Sequence, residues 1–202
     1  MNKGQRTAHR ILDAAEAQFA QRGFGAASLR DIAAMAQIQQ PGLYKHFSSK
    51  EDLYRQVYER ALRPLTELMD QIIAGPADMP VFYELTDRLT DLLAIHPNIS
   101  RLLIRAVISR DFDPDEIALG WLSQLVDYGR RLNATLVVRN DDANLVALQI
   151  VAVFNTLFGF FWSSPLIETL TGQPAVDPKL MDCQKQILRQ LVMGFDKQPA
   201  GG

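Results

Sequence analysis

Apolar residues in the first fifty positions recur at helical spacing in three short runs. Ile11, Ala15 and Phe19 stand four apart, with Leu12 and Ala14 widening the stripe. This predicts a helix that closes near Gln21, where Gly23 and Gly25 break the pattern. Ahead of it, Met1 to Arg6 read as a flexible basic arm. Leu29, Ile32, Ala33 and Ala36 form the inner face of a second helix, opened by Ser28, with Asp31 three residues on to complete a capping box. Gln37 to Gln39 read as a turn. Pro41 suits the first turn of a third helix, where a missing backbone donor does no harm, and Leu43 and Phe47 give that helix its inward stripe. Ser48 and Glu51 repeat the capping-box spacing and announce a fourth helix from about Lys50 through Leu53, Val57 and Leu62 toward Ile73, with Pro64 inside it and Gly75-Pro76 ending it.

Helical patterning continues through the rest of the chain. It predicts helices over Val81 to Ile95 and Ile99 to Ser109, jointed at Pro97. A long helix follows, opened by Pro114-Asp115-Glu116, whose acidic first turn favours the helix dipole, and continues to Val138. Another starts at Asp141 or Asp142 and runs through an aromatic cluster to Ile167. Gly172 to Pro178 is a loop, and a last helix spans Pro178 to Phe195. No strand alternation, internal repeat or low-complexity tract is present. The fold class is all-α: an amino-terminal three-helix unit with a helix-turn-helix, residues 1–50, and a larger helical domain, residues 51–202.

Phe154, Phe158, Phe161 and Trp162 make a broad stripe on one helix, while Phe160 points elsewhere. A helix apolar around most of its circumference needs cover on two sides, a core and a partner subunit. Leu180, Ile187, Leu188, Leu191 and Val192 on the last helix supply a second such surface.

Composition narrows the function classes. Of 202 residues, 48% are hydrophobic and 22% charged, as in globular rather than disordered chains. The formal charge of -2 hides an asymmetry: residues 1–63 carry 10 Lys and Arg against 6 Asp and Glu, and residues 64–202 carry 11 against 17. The basic share sits on the three-helix unit, as binding to a polyanion requires. Cys183 is the only cysteine, which excludes an intrachain disulfide and a thiolate zinc cluster. The polar first ten residues lack the apolar segment of a secretory signal. Leu145 to Trp162, interrupted by Gln149, Asn155 and Thr156, reads as a buried helix rather than a membrane span. The expectation is a cytoplasmic protein with no membrane partner. His9, His46 and His96 lie apart from one another and from the cysteine. Asp111, Asp113, Asp115 and Glu116 lack the glycine and distal Glu of a calcium loop, and no glycine-rich phosphate cradle occurs. No catalytic residue, metal site or cofactor is expected.

The outer face of the third helix offers Gln39, Gln40, Gly42, Tyr44, Lys45 and His46, with Lys50 at the next helix start. Gln pairs bidentately with adenine and Lys donates to guanine acceptors in the major groove. A phenol, a lysine and a helix start all suit phosphates, and a glycine permits close approach to the groove. These residues predict contact with double-stranded DNA.

The stretches Ile11–Phe19, Gly23–Ala33 and Gly42–Leu53 together resemble the amino-terminal domain of tetracycline-repressor-like (TetR family) regulators, over residues 6–55. The resemblance implies an all-helical homodimer that binds a palindromic operator and represses, and a small effector in the larger domain that releases the DNA. Family DNA contacts map onto Gln39, Gln40, Gly42, Tyr44, Lys45, His46 and Lys50. The chain departs from the family at Gln39, where Ser or Thr is usual and Gln is the weaker cap, and at Pro41 and Gly42, so no operator sequence carries over.

An effector chamber has a fainter signature. Trp121, Leu125 and Tyr128 share a face of the long central helix, Arg101 and Arg105 lie one turn apart on the helix before it, and Phe158 and Trp162 come from the aromatic cluster. An apolar aromatic pocket with one converging polar group is a usual small-molecule site, here for a small hydrophobic or aromatic effector. The same stripe also reads as ordinary core, and Arg105 as the partner of an acid such as Asp111 or Glu84. A dimeric regulator with no small effector, controlled by a protein partner or by abundance, fits the same residues.

Overall fold

The computed structural model describes residues 2–74, 79–108, 115–135 and 142–196, and among these every regular element is a helix. In chain order they are α1 (Lys3–Ala26), α2 (Leu29–Met35), α3 (Gln40–Leu43), α4 (Lys50–Ala74), α5 (Met79–Ile95), α6 (Pro97–Ile108), α7 (Asp115–Thr135), α8 (Ala143–Trp162), α9 (Ser164–Thr171) and α10 (Pro178–Asp196). The expected junctions at Gly75-Pro76, Ser109 to Pro114 and Val138 to Asp141 lie outside the described residues. The chain forms two compact units, one of Met1–Arg63 with Arg101–Leu122 and one of Pro64–Ser100 with Ser123–Gly202, so α4, α6 and α7 each contribute to both.

The first unit is built on the apolar stripes read from the sequence. Ile11, Ala15 and Phe19 of α1, Ile32 and Ala33 of α2, Leu43 of α3, Phe47, and Leu53, Val57 and Tyr58 of α4 are all buried. Phe19 meets Tyr54 edge to face at 4.9 Å, and Tyr54 lies 4.7 Å from Tyr58. Arg60 of α4 also bridges Asp13 at 2.7 Å and Glu16 at 2.8 Å on α1. Partly exposed ion pairs are worth about 0–1 kcal/mol each, against about 1.5–3 kcal/mol for a buried aromatic side chain, so the aromatic packing holds α1 on α4.

Several local expectations are corrected. The amino-terminal arm is helical from Lys3: Asn2 accepts from the Gln5 backbone N–H at 2.9 Å while Gln5 Oε1 accepts from the Asn2 N–H at 2.8 Å, a closed capping box that the sequence reading missed. Helix α1 breaks at Gly23 (φ 77, ψ 173), as expected of that glycine, but resumes for one more turn to Ala26. Ser28 caps α2 through the Asp31 N–H at 3.3 Å, yet the box stays half-formed because the Asp31 carboxylate pairs with Arg22 at 3.2 Å. The second box is shifted by one residue. Ser49 caps α4 through the Asp52 N–H at 3.1 Å, and the Asp52 carboxylate turns back onto the Ser48 N–H at 2.9 Å.

In the second unit α5, α8 and α10 pack on one another. Leu85, Leu89 and Leu93 of α5, Leu157, Phe158 and Phe161 of α8, and Leu188 and Val192 of α10 fill the core. Asp142 is the capping residue of α8, accepting from the Asn144 and Leu145 N–H groups. The expected single helix to Ile167 instead breaks at Ser163. Pro165, near the start of α9, cannot donate to an uninterrupted ladder. Gly172 then ends α9 in the left-handed conformation (φ 68), and Asp177 caps α10 through the Lys179 and Leu180 N–H groups. The approach of α7 to α8 depends on Gly129, where a Cβ would lie 2.9 Å from Ile150 Cγ1.

Candidate nucleic-acid interface

The turn before α3 is set by backbone hydrogen bonds. The Ile38 N–H donates to the Ala33 carbonyl at 3.0 Å and the Gln37 N–H to the Ala34 carbonyl at 3.0 Å. This six-to-one and five-to-two pair is the Schellman closure of α2. It places Gln37 at φ 55, the left-handed region that glycine ordinarily fills.

Beyond the turn, α3 is shorter than its apolar spacing predicts. Regular helix covers Gln40–Leu43, and the chain then tightens, with the His46 N–H donating to the Leu43 carbonyl at 2.9 Å and the Phe47 N–H to the same carbonyl at 3.0 Å. Leu43 and Phe47 are buried and anchor this piece from behind. Its outer side carries Gln39, Gln40, Pro41, Tyr44 and Lys45, all exposed, with Tyr44 at 54%. Gln39 is the N-cap residue but makes no side-chain cap bond, which leaves its amide to face outward. Gly42 is half-buried, and a Cβ there would meet only Ile38 Cδ1 at 3.6 Å, an ordinary contact. The fold therefore does not require glycine at this position. His46 is half-buried, its ring tilted against Phe47 at 6.4 Å.

Lys50 stands apart from the other cations. Its Nζ sits 4.6 Å from the centroid of the Phe24 ring, and partial burial lowers its pKa while the neighbouring Glu51 charge acts against that fall. The Phe24 platform was not anticipated, and its only local signal is its place after the elbow glycine. The first six predicted contacts thus share one short stretch, while Lys50 reaches the same unit from α4.

The residues expected around an effector divide between the units. Arg105 and Trp121 fall in the first; Leu125, Tyr128, Phe158 and Trp162 fall in the second. Arg105 donates from Nε to the Ala20 carbonyl at 2.8 Å and from Nη2 to the Gln21 carbonyl. Its partners are thus backbone carbonyls; Glu84 pairs with Arg88 at 3.4 Å, and Asp111 lies outside the described residues. Trp121 and Leu125 are half-buried. Tyr128 is 4% exposed, and its hydroxyl donates to Asp70 at 2.7 Å, a partner that no sequence spacing signalled. Burial foremost, then Asp70 as acceptor and as a charge, raises the Tyr128 phenol above its ordinary value, with Gln124 and Arg131 opposing. Phe158 is buried 4.5 Å from Phe154, whereas Trp162 is 54% exposed.

Comparison with known proteins agrees with this geometry. The pattern that defines bacterial regulatory proteins of the tetR family matches residues 11–57. The HTH-type transcriptional repressor Rv3405c of Mycobacterium tuberculosis is 30% identical over 170 residues, 80% of this chain and 76% of that protein. The HTH-type transcriptional repressor SCO4008 of Streptomyces coelicolor is 34% identical over 97 residues, and there the match spans 48% of this chain and about half of the relative, 47%. A TetR-like transcriptional regulator from Rhodococcus sp. RHA1 shares the fold with a TM-score of 0.71 at 18% identity, over 98% of this chain and 100% of the other. With a relative at this identity over most of both chains, and the reading helix placed as described, the chain belongs to the tetR family of bacterial regulatory proteins and is a DNA-binding transcriptional regulator.

Proposed function

We propose that the protein is a repressor that binds a palindromic operator as a homodimer and is released by a small hydrophobic or aromatic effector. The observation that carries this reading is the outward polar face of α3 and its following turn, Gln39, Gln40, Tyr44 and Lys45, held by buried Leu43 and Phe47. Gln39 and Gln40 read base edges; Tyr44, Lys45, His46 and Lys50 hold phosphates and register; Gly42 lets the backbone approach. Repression, rather than activation, follows the names of the two relatives above. The functional division is a reading domain over residues 1–50 and an effector and dimer domain over residues 51–202, and the site of action is the cytoplasm, where the operator is.

Support for a homodimer comes from the outer faces of α8 and α10. Leu148, Val151, Asn155 and Trp162 form one stripe on α8, and Cys183, Ile187 and Gln190 form one on α10, all exposed in the single chain. Helix α8 is long and apolar enough to cross a membrane by length and composition, but its inner face is already packed in the second unit, which leaves one apolar stripe for a partner subunit. For the effector, Leu125, Tyr128 and Phe158 in the second unit, with Trp121 on the same helix as Leu125, supply apolar lining and a single phenol. Arg105, with its donors on α1, is left out of the chamber.

Selection of bound duplexes from a random library tests the central reading, with a palindromic consensus as the expected result. With that duplex in an anisotropy titration, Gln40→Ala weakens the selected site by about tenfold, the usual worth of one bidentate base contact, and leaves a mixed-sequence duplex within twofold. Lys45→Ala weakens both alike. The reverse pattern exchanges the two roles.

A further inference from the structure

The break in α1 at Gly23 strips the preceding turn of intrahelical donors, because the last carbonyls of any helix have none. Two of those carbonyls, Ala20 and Gln21, are taken by one side chain from 84 residues or more away, the guanidinium of Arg105 on α6. A cation at a helix carboxyl end is favoured by the helix dipole. The third nitrogen, Nη1, lies 3.3 Å from where a Cβ on Gly23 would stand, so Arg105 is seated in the elbow itself. Just past the elbow, Phe24 stacks on Phe19 at 6.1 Å and meets Tyr54 edge on at 5.1 Å. The same ring carries the Lys50 ammonium at 4.6 Å. One turn before Arg105, the Leu102 carbonyl accepts from the Tyr58 hydroxyl at 2.9 Å, and Tyr58 in turn accepts from Tyr54 at 3.1 Å. Helix α6 thus grips α1 through Arg105 and α4 through Leu102, on either side of the Phe24–Lys50 pair.

We infer that Arg105 is a positioning residue for DNA binding: it fixes the Gly23 elbow, and so the Phe24 ring against which Lys50 is held ready for a phosphate. A free lysine has many rotamers and loses that freedom on contact, whereas a lysine already seated on an aromatic face loses less. The guanidinium fork suits two carbonyls on adjacent residues, which an ammonium cannot hold at once.

This rests on Lys50 as a phosphate contact, and the experiment separates the two. In the full chain, binding is read by anisotropy on a fluorescein-labelled duplex recovered from the random library and on a mixed-sequence duplex of equal length. Lys50→Ala alone weakens both by about tenfold; no loss overturns the Lys50 reading and the inference with it. Arg105→Gln weakens both by about fivefold in the parent but by less than twofold in the Lys50→Ala background, the coupling expected if it acts through Lys50. Arg105→Lys falls between. Equal losses in the two backgrounds, or none in the parent, overturn the inference while leaving Lys50 in place. Should Arg105→Gln fail to fold, Phe24→Leu, which keeps apolar volume but removes the ring face, is run through the same cycle with the same expected and overturning results.

Discussion

Tyr128 shows how one burial decides a residue's behaviour. Its hydroxyl bonds to Asp70, and a hydrogen bond to a charged group is worth about 1.5–3 kcal/mol. Because Asp70 is exposed and water replaces the lost partner, Tyr128→Phe should cost near the lower end of that range. The pH profile follows from the raised pKa. The fold holds the proton more tightly than the unfolded chain does, so the contribution is complete below the ordinary tyrosine value of 10.0 and is lost as pH climbs through the raised value. Thermal unfolding of parent and Tyr128→Phe should differ by a constant amount to about pH 9.5 and converge above it; a gap that widens in alkali contradicts this. Gly42 is a second single-residue test. A Cβ there meets Ile38 at 3.6 Å without clash, and alanine is the better helix former by up to about 1 kcal/mol. Gly42→Ala should therefore raise the melting temperature while weakening the selected duplex, a split that a purely structural glycine does not give.

At the scale of elements, the tie between α2 and α3 carries a built-in cost. Gln37 sits at φ 55 with a side chain attached, a conformation that costs a non-glycine residue about 1–2 kcal/mol. Glycine relieves that cost but loses about 0.4–1 kcal/mol to unfolded-chain entropy. Gln37→Gly should thus stabilise the protein by about 0.5–1 kcal/mol in denaturant unfolding; a destabilised variant would show that the Gln37 side chain has a holding role of its own. The Schellman closure was not legible in the sequence because neither glycine nor asparagine marks it. The capping residues were half legible. Adjacent serines at 48 and 49 with adjacent acids at 51 and 52 offer two registers, and the apolar packing of Leu53 and Val57 selects the second.

For the whole molecule, the outer stripe of α8 and the separation of charge make one joint prediction. Val151, 47% exposed, lies at the middle of the stripe. Val151→Glu should leave the single-chain fold intact and shift the sedimenting species from twice the chain mass to 22.7 kDa. With Lys45 and Lys50 from two subunits on one site, the salt dependence of binding should have a slope of about 3–4 logarithmic units, at about 0.9 per phosphate, and the dissociated variant about half of it. A parent that sediments stably as a single chain contradicts the dimer.

What the sequence determined by itself is local. Helix positions, their breaks at Gly23 and Gly172, the inward residues Leu43 and Phe47 and the outward polar set from Gln39 to Lys45 follow from periodicity and from steric and hydrogen-bonding preferences a few residues wide, and so can be read along the chain. Tertiary structure decided the pairings. Arg105 reads as a candidate for a chamber until α6 is laid against the carboxyl end of α1. Lys50 reads as a free cation until Phe24 is brought beneath it, and Tyr128 as apolar lining until Asp70 is seen to accept its proton. Each partner lies 26 to 85 residues away, and such contacts are set by how helices pack, which no short window of residues encodes.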